Sequence, residues 1–137
     1  MSPYPRDLWE RACKTYLTAC RELALDPDTS ASCAYYAAFY AVSALLALEG
    51  KEFTRHSAVE SAVHRDLVKP GIWPIELGSA YSRLSEARYT ADYGANRHVS
   101  AEDARDAVLA AERILRTVSQ SKQDDFSLPP ELGAGLK

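Results

Sequence analysis

The sequence lacks most of the motifs by which enzymes and metal proteins are recognised. Its 137 residues include three cysteines and six glycines. There is no Gly-rich phosphate loop, Gly-x-Ser-x-Gly elbow, Cys-x-x-Cys pair or His-Glu-x-x-His segment. The enzyme classes built on these motifs are therefore not indicated. No run reaches the roughly 18 uninterrupted apolar residues of a membrane span, so we expect no membrane association.

The chain also lacks an excess of positive charge. Sixteen Lys and Arg residues stand against nineteen Asp and Glu residues, for a formal net charge of −3. This excludes a protein that coats nucleic acid through bulk positive charge, although a local basic pocket stays open.

The three cysteines predict no disulfide framework. Cys13 and Cys20 lie on one predicted helix, about 10 Å apart along its axis, too far for a bridge. The start, "MSPYPRDLWER", has no basic head followed by an apolar stretch, so we expect no secretion signal. Reduced thiols and the absence of a signal predict a cytoplasmic location.

Apolar residues recur at spacings of three and four, and no run alternates with period two. The pattern predicts four long helices and a short one: about 6–25, 29–49, a short helix from Ser57, 74–92, and Ser100 to about 120. The second helix is apolar nearly all round and should be central. Asp28, Thr29 and Ser30 are its candidate N-caps, and Ser57 and Glu60 predict a capping box on the third helix.

These helices predict an all-α fold, an up-and-down four-helix bundle with one additional short helix, over residues 1–120. Residues 121–137 are polar and contain a double proline. We expect them to form a disordered tail.

Arg88 interrupts the apolar stripe of the fourth helix. It follows Leu77, Tyr81 and Leu84 at helical spacing, so we expect its guanidinium to be partly buried. Asp92, one turn further on, predicts an intrahelical ion pair. A partly buried guanidinium is also suited to binding phosphate or carboxylate. The structural and the binding interpretations of Arg88 both stay open.

Two further groups have a simpler interpretation. His56, Glu60 and His64 recur every four residues, but one helix would have to supply every ligand, so no metal site is predicted. Six tyrosines of the second and fourth helices are candidates for stacking on a base, although core or interface positions are commoner: Tyr35, Tyr36, Tyr40, Tyr81, Tyr89 and Tyr93.

Three short motifs follow one another in a recognisable order: YYAAF at 35–39, HSAV at 56–59 and RYTADY at 88–93. Together they resemble the HEPN domain family (higher eukaryotes and prokaryotes nucleotide-binding). Within it they are similar to short stand-alone prokaryotic proteins with an Arg-x-x-Ala-Asp-Tyr helix end. The resemblance covers about residues 6–120. It implies a HEPN-like bundle, usually a homodimer whose paired helix ends form a shared cleft.

The resemblance is incomplete where ribonuclease members of the family carry an arginine followed, after four to six residues, by a histidine. Arg88 matches the arginine, but Tyr93 occupies the position after a four-residue gap, and His98 is ten residues away. Neutral imidazole suits activation of a 2′-hydroxyl near pH 7, whereas tyrosine, with a reference pKa near 10, does not. The sequence therefore leans against an enzyme; Arg88, Asp92, Tyr93 and His98 are the catalytic candidates.

The resemblance implies a nucleotide- or RNA-binding dimeric module that acts with a minimal nucleotidyltransferase in a toxin–antitoxin or stress/defence system. Arg88, Tyr93 and His98 would bind the phosphate, and no cofactor is implied. Three alternatives stay open: a metal-independent RNase toxin with a non-standard active site, a substrate that the transferase modifies on Tyr93, and a purely structural helical dimer.

Overall fold

The computed structural model describes residues 4–133, which form only helices, turns and loops. The helices are α1 (Tyr4–Glu22), α2 (Pro27–Leu48), α3 (His56–Ala62), α4 (Ile75–Tyr93), α5 (Ala101–Ser121) and the short α6 (Pro130–Gly133). A π-helical turn, Val63–Val68, continues α3. The prediction of an all-α bundle with a short additional helix between its second and fourth members is confirmed.

Helix α2 is the central element, as its apolar composition predicts. It contacts α1, α4 and α5. Its buried residues, six alanines among them, form one broad face, and the opposite face, with Tyr36, Phe39 and Tyr40, is half-buried. Small side chains let three neighbours approach one helix closely. By length and hydropathy alone α2 would suit a membrane span, but 56% of its most apolar window is buried inside the bundle, as in the core helix of a bundle.

The predicted apolar stripes face this core. Leu77, Tyr81 and Leu84 of α4 are each at most 2% exposed. The stripe of α5 is buried along its whole length: Ala104, Val108, Ala111, Leu115 and Val118. On α4 the stripe continues to the helix end, and this places the next residue of the series, Arg88, against the bundle.

The start of α2 differs from the prediction. Its N-cap is Asp26, whose side chain accepts from the Thr29 backbone N–H, and Pro27 occupies the first helical position. The helix therefore begins earlier than expected, and the predicted caps Asp28, Thr29 and Ser30 lie inside it. A proline at the first position suits this start because its missing N–H would be unbonded there.

The predicted cap of α3 is also wrong, whereas that of α5 is confirmed. Helix α3 begins at His56, with Arg55 at the N-cap position and no side-chain capping bond. Ser57 thus lies in the first turn. On α5 the Ser100 hydroxyl accepts from the Asp103 backbone N–H, as predicted.

The described part of the expected tail differs most from its prediction. Phe126 is fully buried, and its ring stacks on Trp9 of α1 with centroids 5.2 Å apart. The Trp9 Nε1–H donates to the Ser127 carbonyl at 2.9 Å. Instead of leaving the bundle, the chain returns to it.

The return ends at α6, where Leu132 is 2% exposed. The Arg116 guanidinium donates to the Leu132 carbonyl and to the Glu112 carboxylate. Two buried apolar residues, Phe126 and Leu132, hold this segment against the bundle. The prediction of disorder was wrong here because it depended on the average composition of the segment, which is polar. The last part of the predicted tail, residues 134–137, lies outside the described residues.

Candidate functional site

Arg88 lies at the inner side of the last turns of α4, as its place in the stripe predicts. Its side chain is 13% exposed. The guanidinium carbon Cζ lies 5.1 Å from the ring centroid of Tyr35 and 5.8 Å from that of Tyr93. The guanidinium is therefore enclosed by two aromatic rings from α2 and α4, and the group Arg88, Tyr35 and Tyr93 is called the Arg88 pocket.

The same guanidinium makes no hydrogen bond within the described chain. Its Nη1 lies 3.8 Å from Asp92 Oδ2, an ion-pair contact that is too long for a hydrogen bond. Its Nε is buried without a partner. A cation that contacts ring faces keeps the donors in its own plane free. Arg88 is thus a mostly buried cation whose donors have no hydrogen-bond partner among the described residues.

Tyr35 connects Arg88 to a histidine from another element. The Tyr35 hydroxyl lies 2.7 Å from His56 Nδ1, at the start of α3. The imidazole also contacts the rings of Phe39 and Tyr36, with centroids 4.5 and 5.5 Å away. These contacts fix the orientation of the imidazole beside the Arg88 pocket.

The surroundings keep both partners of this hydrogen bond uncharged near neutral pH. Burial lowers the pKa of His56 below its usual 6.5, and the positive charge of Arg88 lowers it further. Burial likewise raises the pKa of Tyr35 above its usual 10.0. Arg88 is therefore accompanied by a neutral imidazole and a protonated phenol.

Two tyrosines at the end of α4 face solvent. Tyr89 and Tyr93 are 61% and 63% exposed, and their ring centroids are 5.3 Å apart. In contrast, Tyr81 is fully buried beside Tyr35. The structure thus divides the candidate tyrosines into two core residues, one exposed ring pair, and the half-buried Tyr36 and Tyr40.

His98 is in contact with a different element. Its Nδ1 lies 2.7 Å from Asp28 Oδ2, and Asp28 Oδ1 accepts from the Val99 backbone N–H at 2.7 Å. These bonds tie the loop between α4 and α5 to the start of α2. Among the described residues, no hydrogen bond, ion pair or ring contact joins His98 to Arg88 or Tyr93, so the predicted set of phosphate ligands is not brought together as one group.

His56, Glu60 and His64, for which the sequence predicts no metal site, are divided as well. His56 turns to Tyr35, whereas Ser82 donates to Glu60 Oε2 at 2.8 Å and its oxygen lies 2.9 Å from His64 Nε2. Since the Ser82 proton goes to Glu60, its oxygen accepts from His64. Across residues 4–133, no three His, Cys, Asp or Glu side chains are grouped to hold a metal ion.

By its fold, the protein is a small all-α domain built around one buried, alanine-rich helix. The HEPN domain family matches residues 5–122, and the chain belongs to this family. A UPF0332 protein from Thermotoga maritima is 41% identical over 90 residues, which cover 66% of this chain and 68% of that protein.

The fold is also found in a solved structure. The crystal structure of TT1696 from Thermus thermophilus matches with a TM-score of 0.71 over 87% of this chain and 98% of that one, at 22% sequence identity. At this level of identity the match establishes the shared bundle and nothing about its ligands.

Sequence reasoning missed Tyr35 and His56 as neighbours of Arg88. It treated the first as a core or stacking residue and the second as a metal candidate. A signal was nevertheless present, because both residues belong to the motifs that carry the HEPN resemblance. Their spatial meeting depends on how the start of α3 packs against the middle of α2, which periodicity alone does not give.

Proposed function

We propose that this HEPN protein binds nucleotides or RNA through a phosphate group held by Arg88. The observation that carries the proposal is the state of this side chain: 13% exposed, enclosed by Tyr35 and Tyr93, and without a hydrogen bond to any described residue. A structural ion pair would be expected to use the guanidinium donors, and the 3.8 Å contact with Asp92 does not.

Phosphate suits this position for two reasons. Its oxygens accept the paired donors of a guanidinium in a planar geometry. The aromatic walls keep part of the cation away from water, so that its attraction to an anion is less screened than on an open surface. The Arg88 side chain keeps 13% of its surface exposed, and a phosphate oxygen can reach it there.

The test uses a fluorescently labelled, 5′-phosphorylated single-stranded RNA of ten nucleotides. Arg88→Ala is expected to weaken binding about tenfold, since charged hydrogen bonds contribute about 1.5–3 kcal/mol each. It should also reduce the salt dependence of binding by about 0.7 in the log–log slope, the value for one lost phosphate contact.

The matched control is Arg105→Ala, which removes the same charge from an exposed position on α5. It should leave both the affinity and the slope close to those of the wild type. Equal binding by the Arg88→Ala protein and the wild type would reject the proposal. Circular dichroism checks that both variants keep the helical bundle.

We further propose that the protein acts in the cytoplasm as a homodimer, with a minimal nucleotidyltransferase in a toxin–antitoxin or stress/defence system. Family membership supports the partnership, and three free cysteines are consistent with a reducing compartment. Sedimentation equilibrium tests the dimer. Co-expression with a minimal nucleotidyltransferase tests the partnership by co-purification, and intact mass shows whether Tyr93 is modified.

A second candidate function, cleavage of RNA, is favoured by His56. Its imidazole is neutral near pH 7 and joined to the Arg88 pocket through Tyr35. In this reaction His56 Nε2 takes the proton of a ribose 2′-hydroxyl, and the 2′-oxygen attacks the adjacent phosphorus. The bond from phosphorus to the 5′-oxygen breaks, that oxygen takes a proton from water, and a 2′,3′-cyclic phosphate remains. Arg88 would stabilise the charge on phosphorus.

Incubation with a single-stranded RNA in EDTA tests this candidate. Cleavage with cyclic phosphate ends, identified by mass spectrometry, should be lost in His56→Gln and Arg88→Ala and kept in His64→Gln. Intact RNA after incubation with the wild type would discard cleavage and leave the binding proposal standing.

A further inference from the structure

We propose that the exposed ring pair Tyr89–Tyr93 stacks on a nucleobase, so that the ligand of the Arg88 pocket is a nucleotide in a single-stranded segment. This inference rests on the proposed function, because it takes Arg88 as the site of the phosphate. It adds the part of the ligand that is recognised next to that phosphate.

The first argument is the exposure of the pair. The two rings are 61% and 63% exposed and tilted by 49° at a centroid distance of 5.3 Å. More than half of the surface of each residue is therefore open to solvent. Tyrosine rings usually bury their apolar faces, and Tyr35 and Tyr81 do so completely, at 1% and 0% exposure.

The second argument is the position of Tyr93. The same ring that belongs to the exposed pair also lies 5.8 Å from the Arg88 guanidinium. A flat apolar surface and an unused cation therefore meet at one side chain. A free phosphate would need only the cation, whereas a nucleotide carries an anion and a flat ring within a few ångströms of each other and matches both.

The third argument concerns the form of the nucleic acid. A base in a duplex is stacked on both faces by its neighbours, so its faces are not available to protein rings. Exposed aromatic side chains beside a cation are the arrangement by which proteins hold unpaired bases. The unpaired nucleotides of a single-stranded segment fit the Tyr89–Tyr93 pair, and duplex nucleic acid does not.

The experiment compares AMP with ribose 5-phosphate by calorimetry. The two compounds share the phosphate and the sugar and differ by the base. The wild type should bind AMP about tenfold more tightly, a gain within the range known for one stacked base. Tyr89→Leu should remove most of this preference and leave ribose 5-phosphate binding unchanged, whereas Tyr89→Phe, which keeps the ring, should behave as the wild type.

The outcomes separate this inference from the proposed function. Arg88→Ala should weaken the binding of both compounds. An unchanged affinity for both would overturn the phosphate site itself. Equal affinities of the wild type for AMP and ribose 5-phosphate, with both lowered by Arg88→Ala, would overturn only the stacking inference. A Tyr89→Leu protein that dissociates from dimer to monomer while keeping its preference for AMP would show that a second copy of the chain covers the rings, and would overturn it too.

A competition measurement tests the single-stranded form. Unlabelled single-stranded RNA should displace AMP at lower concentration than the same sequence annealed to its complement. Equal displacement by both forms would contradict the inference.

Discussion

Arg88 and Asp92 lie one helical turn apart on α4, and their charged groups come within 3.8 Å without forming a hydrogen bond. The sequence suggests that Asp92 holds Arg88 in place. In the structure the rings of Tyr35 and Tyr93 enclose the guanidinium, and the carboxylate stays beside it as a nearby negative charge.

The first prediction concerns this carboxylate. Asp92→Asn should tighten AMP binding roughly fourfold at low salt, because it removes a charge that repels the phosphate at a distance of several ångströms. The gain should shrink in 1 M salt. Asp106→Asn, an exposed carboxylate on α5, provides the control and should change little. Weaker binding by Asp92→Asn would mean that the carboxylate orients Arg88, as the sequence suggests.

The second prediction concerns the end of α4. A Cβ atom at Gly94 would collide with the Thr90 carbonyl oxygen and lie 2.7 Å from that of Arg97. Both obstacles are backbone, so the chain must shift to admit the methyl group. Gly94→Ala should therefore lower the free energy of unfolding by about 2 kcal/mol and weaken AMP binding, because Tyr93 is its direct neighbour. Asn96→Ala, in the same loop, is the control. It should change neither the free energy of unfolding, measured in urea, nor the affinity for AMP, measured by calorimetry.

The third prediction concerns pH and His56. Its pKa is lower in the folded protein than the usual 6.5, so below that pH the unfolded chain binds more protons than the folded one. The contribution of neutral His56 to stability is therefore complete above pH 6.5 and is lost as the pH falls through the lowered pKa.

His56→Gln isolates this effect. In urea unfolding, the wild type should lose stability between pH 6.5 and 5 more steeply than the variant. Asp26 and Asp66 have pKa values lowered from 3.8 by their hydrogen bonds, and their contributions are lost only at lower pH. Parallel curves for the two proteins between pH 6.5 and 5 would contradict the environment assigned to His56.

The fourth prediction concerns the C-terminal segment. Phe126 is fully buried against Trp9, so Phe126→Ala should lower the free energy of unfolding by about 3 kcal/mol. Gln123→Ala, exposed in the same segment, should lie within about 0.5 kcal/mol of the wild type. If Phe126→Ala left the free energy of unfolding unchanged, the result would favour the disordered tail that the sequence predicts.

The parts of the fold that are periodic could be predicted from the sequence. The stripe through Leu77, Tyr81 and Leu84 repeats every three or four residues, and the same repeat gives the inward position of Arg88. The tail has no such repeat. Its contacts depend on two isolated apolar residues, Phe126 and Leu132, which meet distant partners.

The site could be predicted only in part, for the same reason. Arg88 and Tyr93 belong to the last turns of one helix, where two long side chains can meet, although a spacing of five residues does not put them on one face. Tyr35 and His56 reach Arg88 from other elements, and His98 goes instead to Asp28 at the start of α2. Where a loop residue lies depends on tertiary packing, which local spacing does not contain.

The most direct test of the central claim follows the side-chain Nε–Hε resonance of Arg88 by NMR while AMP is added. We expect this signal to shift and to saturate at the AMP concentration that saturates binding in calorimetry, while the corresponding signal of Arg105 stays in place. An Arg88 signal that does not move while AMP binding saturates would contradict the account.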